Sequence, residues 1–216
     1  MLQKNIVVSK TARYFISGEI SEHIEQVWFV CHGYGELANY FIKKFEILKN
    51  EKTLIVAPEA LNKFYRQGMS GKVGASWMTT EERESEIADY INYLSLVYSE
   101  VLATIKNKEV KINVLGFSQG TATVCRWITT TKQQVDNLIL WGGFFPRDLN
   151  YDTNRELLDD LNTFIVMGEQ DEFYTKEMVE ELLKVLVDKK IKHRFVYFKG
   201  KHEIHPETLL ELANSF

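Results

Sequence analysis

The stretch that most constrains this chain runs from Ile112 to Trp127. Ile112-Asn113-Val114-Leu115 is a short apolar run rich in β-branched residues, the pattern of a buried strand, and from Thr121 onward the chain reads as a helix. Between them stands Gly116-Phe117-Ser118-Gln119-Gly120. A chain that passes from strand to helix in so few residues turns sharply, and the serine at the apex is forced into a strained backbone conformation that lifts its hydroxyl off the sheet. Gly116 and Gly120 fit that turn because a side chain at either place would collide with the neighbouring strand or helix. A Gly-x-Ser-x-Gly pattern alone is short enough to arise by chance. Its strand, turn and helix setting is what gives it weight, and the test is whether partners follow.

The rest of the chain repeats the alternation. Residues 6–8 and 13–16, separated by Ser9-Lys10-Thr11-Ala12 and closed by Ser17-Gly18, read as a hairpin at an antiparallel sheet edge. Val27-Trp28-Phe29-Val30-Cys31 is a strand covered on both faces; it ends in His32-Gly33-Tyr34-Gly35-Glu36 and leads to a helix over 40–48. Residues 54–57 form a strand stopped by Pro58. The irregular stretch 61–78 is long for a compact domain and is expected to roof or line a site. A long helix, capped by Thr80 and reaching about Lys106, follows, with Ile87, Ile91, Leu94, Tyr98, Leu102 and Ile105 as its apolar stripe. Strands at 138–141, 163–167 and 194–198 then alternate with helices over 175–187 and from Pro206. The expected fold class is α/β: one domain over 1–216 with a mostly parallel, doubly wound sheet, helices on both faces and the N-terminal antiparallel edge hairpin. Nothing between Trp141 and Asp171 is large enough for a full cap domain.

With 45% hydrophobic residues the chain can fill a core, and a net charge of −4 offers no basic field for nucleic acid or anionic membrane. No apolar run is long enough to span a bilayer and Met1-Leu2-Gln3-Lys4-Asn5 does not open a signal peptide, so the expected location is cytoplasmic. Cys31 and Cys125 lie inside apolar stretches and read as buried thiols rather than nucleophiles. No histidines and acids fall into a metal-ligand spacing, so neither metal nor cofactor is expected.

In such a sheet the chemistry gathers at the carboxyl ends of the strands. His32-Gly33-Tyr34, Ser118-Gln119, Asp171 and His202 each follow a strand and so meet at that edge. A serine hydroxyl is a poor nucleophile until an imidazole accepts its proton; His202 takes that role, and Asp171 holds the ring and stabilises the imidazolium. Tyr34 and Gln119 are the candidate oxyanion donors, through backbone amides rather than side chains. Glu169 and Glu172 rival Asp171, and His205, which precedes Pro206 and reads as a helix cap, rivals His202. His32 is expected to shape its glycine loop by hydrogen bonding, and His193 and His23 to lie at the surface. Trp77, Phe144 and Phe145, with Tyr34, are candidate walls of an open substrate pocket.

These residues resemble the phospholipase/carboxylesterase group of α/β-hydrolases, which includes acyl-protein thioesterases and small bacterial carboxylesterases. The likeness rests on Cys31-His32-Gly33-Tyr34-Gly35, the Gly116 to Gly120 string, the loop from Gly168 to Asp171 and the loop from Gly200 to Ile204, and covers nearly the whole chain. It implies the α/β-hydrolase fold, Ser118, Asp171 and His202 as catalytic residues, and Tyr34 and Gln119 as oxyanion donors. Thr121 stands where the family commonly has a further glycine, and Gly74-Ala75-Ser76-Trp77-Met78 where the thioesterases have Pro-Ser-Trp-Phe-Asp. The implied activity is cleavage of small to medium carboxylic esters, and by extension thioesters, through an acyl-enzyme, by a monomer or homodimer acting on small molecules. A dienelactone-hydrolase-like enzyme or a peptidase on the same fold is the alternative. A catalytically silent binding protein, from another class, would show a broken triad.

Overall fold

The structure, a computed structural model, describes residues 1–216. In chain order the elements are β1 (Tyr14–Ser17), β2 (Gln26–Cys31), α1 (Ala38–Phe41), which tightens into a 3₁₀ segment (Ile42–Leu48), and β3 (Thr53–Pro58). Two short strands follow, β4 (Asn62–Tyr65) and β5 (Val73–Ser76), then α2 (Arg83–Thr104), β6 (Lys111–Phe117) and α3 (Gln119–Thr131). The last third is β7 (Asn137–Trp141), α4 (Arg155–Asp160), β8 (Asn162–Gly168), α5 (Lys176–Asp188), β9 (Arg194–Phe198) and α6 (Pro206–Ala213).

Seven strands join one sheet in the order β1-β3-β2-β6-β7-β8-β9, all parallel except β1, which runs antiparallel to β3. The inner strands β2, β3, β6, β7 and β8 are mostly apolar because both their faces are covered, and alternate residues feed opposite cores. Val27 and Phe29 of β2 pack with Ile112 and Val114 of β6 beneath α2, α3 and α5, where Tyr90, Leu94 and Trp127 are buried. Trp28 and Val30 turn to the other face, with Leu115, Trp141 and Val166, under Phe41, Phe45 and Leu209. The winding direction reverses between β2 and β6, whose ends are in register at Cys31 and Gly116. That reversal splays the two loops apart and opens a crevice at the carboxyl edge. No helix is long and apolar enough to cross a membrane.

Four local expectations are corrected. The N-terminal hairpin does not form: Ile6, Val7 and Val8 are exposed without strand structure, and β1 alone makes the antiparallel edge. Asn5 is drawn instead to the start of α2, donating to Glu82 Oε2 at 2.8 Å and to Ser85 Oγ at 3.1 Å. Residues 61–78 are not irregular; β4 and β5 pair as an antiparallel hairpin from Asn62↔Ser76 to Tyr65↔Val73. Residues 40–48 are mostly 3₁₀ rather than one α-helix. Thr80 does not cap α2: Thr79 Oγ1 closes a turn onto Glu81, and the helix begins at Arg83 after Glu82, at φ 48°.

Candidate active site

Ser118 sits between β6 and α3 with φ 54° and ψ −117°, a strained conformation for a residue with a side chain. Its N–H donates to Trp141 O at 2.9 Å, which fixes the turn to β7. The flanking glycines are needed for the reason the sequence gives. A Cβ on Gly116 would lie 2.3 Å from Gly120 O, and one on Gly120 would lie 2.3 Å from Cys31 O. Both approaches are far inside van der Waals contact. Thr121, the departure from the family pattern, has a partner of its own: its Oγ1 donates to Ser118 O at 2.7 Å, and Gly143 leaves it room.

Asp171 and His202 arrive on neighbouring loops after β8 and β9. Glu169 N donates to Phe198 O and Gln170 N to Gly200 O, each at 2.9 Å, so the acid loop and the histidine loop are laced together. Trp141 Nε1 holds the latter from below through Glu203 O at 2.7 Å. His202 Nδ1 meets Asp171 Oδ2 at 2.7 Å, and Asp171 Oδ1 accepts from Phe173 N at 2.9 Å. Since an ionised carboxylate only accepts, Nδ1 carries the proton and Nε2 is left as the acceptor. Phe117 and Phe173 flank the imidazole, with ring centroids 4.8 and 4.6 Å from it. No hydrogen bond joins Ser118 Oγ to His202; both line one cleft of about 440 Å³, with Phe144, Phe145 and Leu182.

The rivals are elsewhere. Glu172 reaches the His202 backbone N–H, at 3.4 Å, rather than its ring, and Glu169 is exposed. His205 caps α6, accepting from Thr208 N through Nδ1. His32 is buried: its Nδ1 donates to Gly33 O at 2.8 Å and its Nε2 accepts from Ala60 N at 3.1 Å. Burial lowers its pKa. The same cause pushes the Cys31 and Cys125 thiols well up, away from thiolate chemistry. Trp77 does not line the cleft. It is 1% exposed, and its indole N–H donates to His32 O at 2.8 Å, so it belongs to the core beneath the glycine loop.

That glycine loop lies against Ser118, a Cβ on Gly33 falling 3.2 Å from Ser118 Cβ. Glu36 Oε2 accepts from Gly33 N at 2.9 Å, and Gly35 N donates to Ala75 O at 2.8 Å. The Tyr34 side chain turns outward onto Phe64. The Gln119 side chain, which no sequence pattern singles out, is anchored: Nε2 donates to Met78 O at 2.8 Å and Oε1 accepts from Trp77 N at 3.1 Å. An acid three residues after a turn glycine is a weak local signal for Glu36. Gln119 and residues 76–78 are too far apart in sequence for any local signal.

The comparisons with known proteins agree with this fold. Among solved structures, a phospholipase/carboxylesterase from Dyadobacter fermentans matches with a TM-score of 0.68 at 20% identity, over 98% of this chain and 99% of that one. A carboxylesterase from Mesorhizobium loti matches with a TM-score of 0.71 at 16% identity, over 94% of each chain. Zea mays acyl-protein thioesterase 2 matches at 0.66 and 14%, over 95% of this chain and 97% of that one. At these identities the likenesses speak for the fold. No curated protein matches the chain. The Phospholipase/Carboxylesterase family model, however, matches residues 15–216, and the chain therefore belongs to that family of esterase-type hydrolases.

Proposed function

We propose that the protein is a serine hydrolase that cleaves carboxylic esters, and thioesters by the same steps, through an acyl-enzyme on Ser118. The observation that carries this reading is the His202–Asp171 pair, joined at 2.7 Å with its free Nε2 on the same cleft as the strained Ser118. Ser118 Oγ attacks the acyl carbon as His202 Nε2 takes its proton, the two drawing together once substrate fills the cleft. The Tyr34 and Gln119 backbone N–H groups receive the oxyanion. His202 returns the proton to the departing alcohol or thiol. Water, deprotonated by the same imidazole, then releases the acid and restores the hydroxyl. Asp171 stays ionised throughout and stabilises the imidazolium.

Phe144, Phe145, Leu182 and Met178 give the cleft an apolar wall suited to small or medium acyl groups. The wall continues along α5 into a second hollow that reaches Val185 and Leu186.

The test is intact-mass detection of a fluorophosphonate adduct, followed by peptide mapping. One adduct is expected, on Ser118, lost in Ser118→Ala and strongly slowed in His202→Ala. Ester turnover in Ser118→Ala should fall by at least about 10³-fold, since a triad without its serine retains only the help of binding and the oxyanion hole. A folded wild-type protein that takes no adduct would sink the proposal.

A further inference from the structure

A separate cleft of about 680 Å³ opens beside the oxyanion loop, between Gly35 to Lys44 on one side and the β4–β5 hairpin on the other. Its charge is unbalanced. Glu36 is the one carboxylate in its wall; Lys44 Nζ holds its Oε1 at 2.8 Å, while its Oε2 is taken by the Gly33 N–H. Arg66 and Lys72, across the hairpin turn, have no acidic partner and no side-chain hydrogen bond, and both are exposed. Their backbones are tied by Arg66 N to Lys72 O at 2.8 Å, which keeps the two cations on one rim. Arg66 Nε comes within 3.8 Å of where a Cβ on Gly35 would sit. A chain of net charge −4 thus gathers two unneutralised cations beside its candidate active site.

The cleft lies across the Phe117 ring from the imidazole. Lys44 Nζ stands 5.3 Å over the Phe117 ring, whose centroid is 4.8 Å from that of His202. Gly33 abuts Ser118, and two residues span at most about 7 Å, so Gly35 brings the cleft within reach of a group a few bonds from the scissile oxygen. The apolar wall formed by Phe144 and Phe145 belongs to the other cleft and serves the acyl group. His202 protonates the departing group, so the side it faces is the leaving-group side.

We propose that the cleft between the oxyanion loop and the β4–β5 hairpin receives an anionic group, carboxylate or phosphate, carried by the leaving alcohol or thiol, with Arg66 and Lys72 as its specificity residues. This rests on the ester-hydrolase reading and narrows its substrate class.

The test compares esters with one acyl group and three leaving groups: 4-(carboxymethyl)phenyl butyrate, its phosphonomethyl analogue, and the neutral isostere 4-(carbamoylmethyl)phenyl butyrate. At least one anionic ester is expected to exceed the neutral one in kcat/KM by about tenfold at low ionic strength, equivalent to about 1.4 kcal/mol. Which of the two leads identifies the anion. The preference should shrink as NaCl rises from about 0.01 to about 1 M, which shortens the screening length from about 30 to about 3 Å. In the Arg66→Gln/Lys72→Gln double variant the anionic-to-neutral ratio should collapse toward one, through KM. Equal rates for all three wild-type esters, or a preference that survives both the salt and the double variant, would overturn the proposal and leave the hydrolase reading standing. No turnover of any ester, with no fluorophosphonate adduct on Ser118, would overturn both.

Discussion

Replacing Gln119 by Met keeps its backbone N–H and nearly its shape but removes every side-chain hydrogen bond. Trp77 N–H then loses its acceptor at 3.1 Å, and Met78 C=O one of its two donors, the Nε2 at 2.8 Å. Ser76 Oγ, 3.2 Å from Nε2, keeps its own bond to Met78 O. One backbone N–H left without a partner, with a second bond lost at a carbonyl that Ser76 Oγ still reaches, gives a loss of about 1–2 kcal/mol. With a urea slope of about 2 kcal/mol/M, the unfolding midpoint should fall by about 0.5–1 M. Activity should fall further than stability implies. The same hairpin accepts Gly35 N at Ala75 O and returns Ala75 N to Glu36 O at 3.0 Å, so a loosened β5 moves the loop that carries the Tyr34 N–H. A misplacement of about 1 Å costs up to about 10²-fold in rate, so kcat should drop between about ten- and a hundredfold under conditions where the variant is fully folded. Urea titration and ester kinetics on the same preparation measure both quantities. A midpoint shift below about 0.3 M would refute the hydrogen-bond argument. A full stability loss with intact kcat would show that the clamp serves the fold and not the oxyanion loop.

The remaining predictions concern packing and pH. Gly143→Ala would put a Cβ 2.5 Å from Thr121 Oγ1, so it should destabilise by about 1–3 kcal/mol, and Thr121→Gly in the same chain should recover most of that loss; independent, additive effects in urea unfolding would contradict the pairing. His32 is buried as the neutral imidazole with its pKa lowered, so as pH falls below the unfolded value of about 6.5 the unfolded chain takes up the proton first. The stability that His32 contributes is therefore complete above that value and is lost as pH drops toward the folded one. Wild-type stability should decline between about pH 7 and 5, whereas His32→Gln, less stable at pH 7, should show a flatter profile, and equal slopes would remove His32 from the account.

Most of the fold was legible because the signals that carry it are local. Val27 to Cys31 and Leu138 to Trp141 are continuous apolar runs and Ile112 to Leu115 is apolar but for Asn113, and runs so short, with glycine soon after, read as strands covered on both sides. Once those strands are parallel, their carboxyl ends coincide, and the loops that carry Ser118, Asp171 and His202 gather at one edge. Where the reading failed, the deciding contact was distant. Ile6-Val7-Val8 has the composition of a strand, but a strand needs a partner, and Asn5 is committed to Glu82 and Ser85. Trp77 has the look of a pocket aromatic beside a site, yet an indole N–H that finds a buried carbonyl at His32 goes inside with it.

The hairpin β4–β5 escaped sequence reading for the same reason, and it bears most directly on catalysis. Asn62-Lys63-Phe64-Tyr65 and Val73-Gly74-Ala75-Ser76 are short and carry little apolar pattern, so neither announces a strand. What orders them is the site itself. Gly74 packs so closely on Gly35 that a Cβ would fall 2.5 Å from Gly35 O, Ala75 bridges to Glu36, and the residues after Ser76 are held by the Gln119 side chain. One strand of the hairpin therefore touches both backbone segments that carry the candidate oxyanion donors, on β2's loop and at the head of α3. Glu36 adds a third tie by holding the Gly33 N–H, so the candidate donor of this loop is the next amide rather than its own. Preorganised donors are worth most where nothing has to move when charge develops. A segment whose sequence is too weak to fold alone is thus fixed by the two loops it braces, and its far rim carries Arg66 and Lys72 into the wall of the cleft proposed for the leaving group.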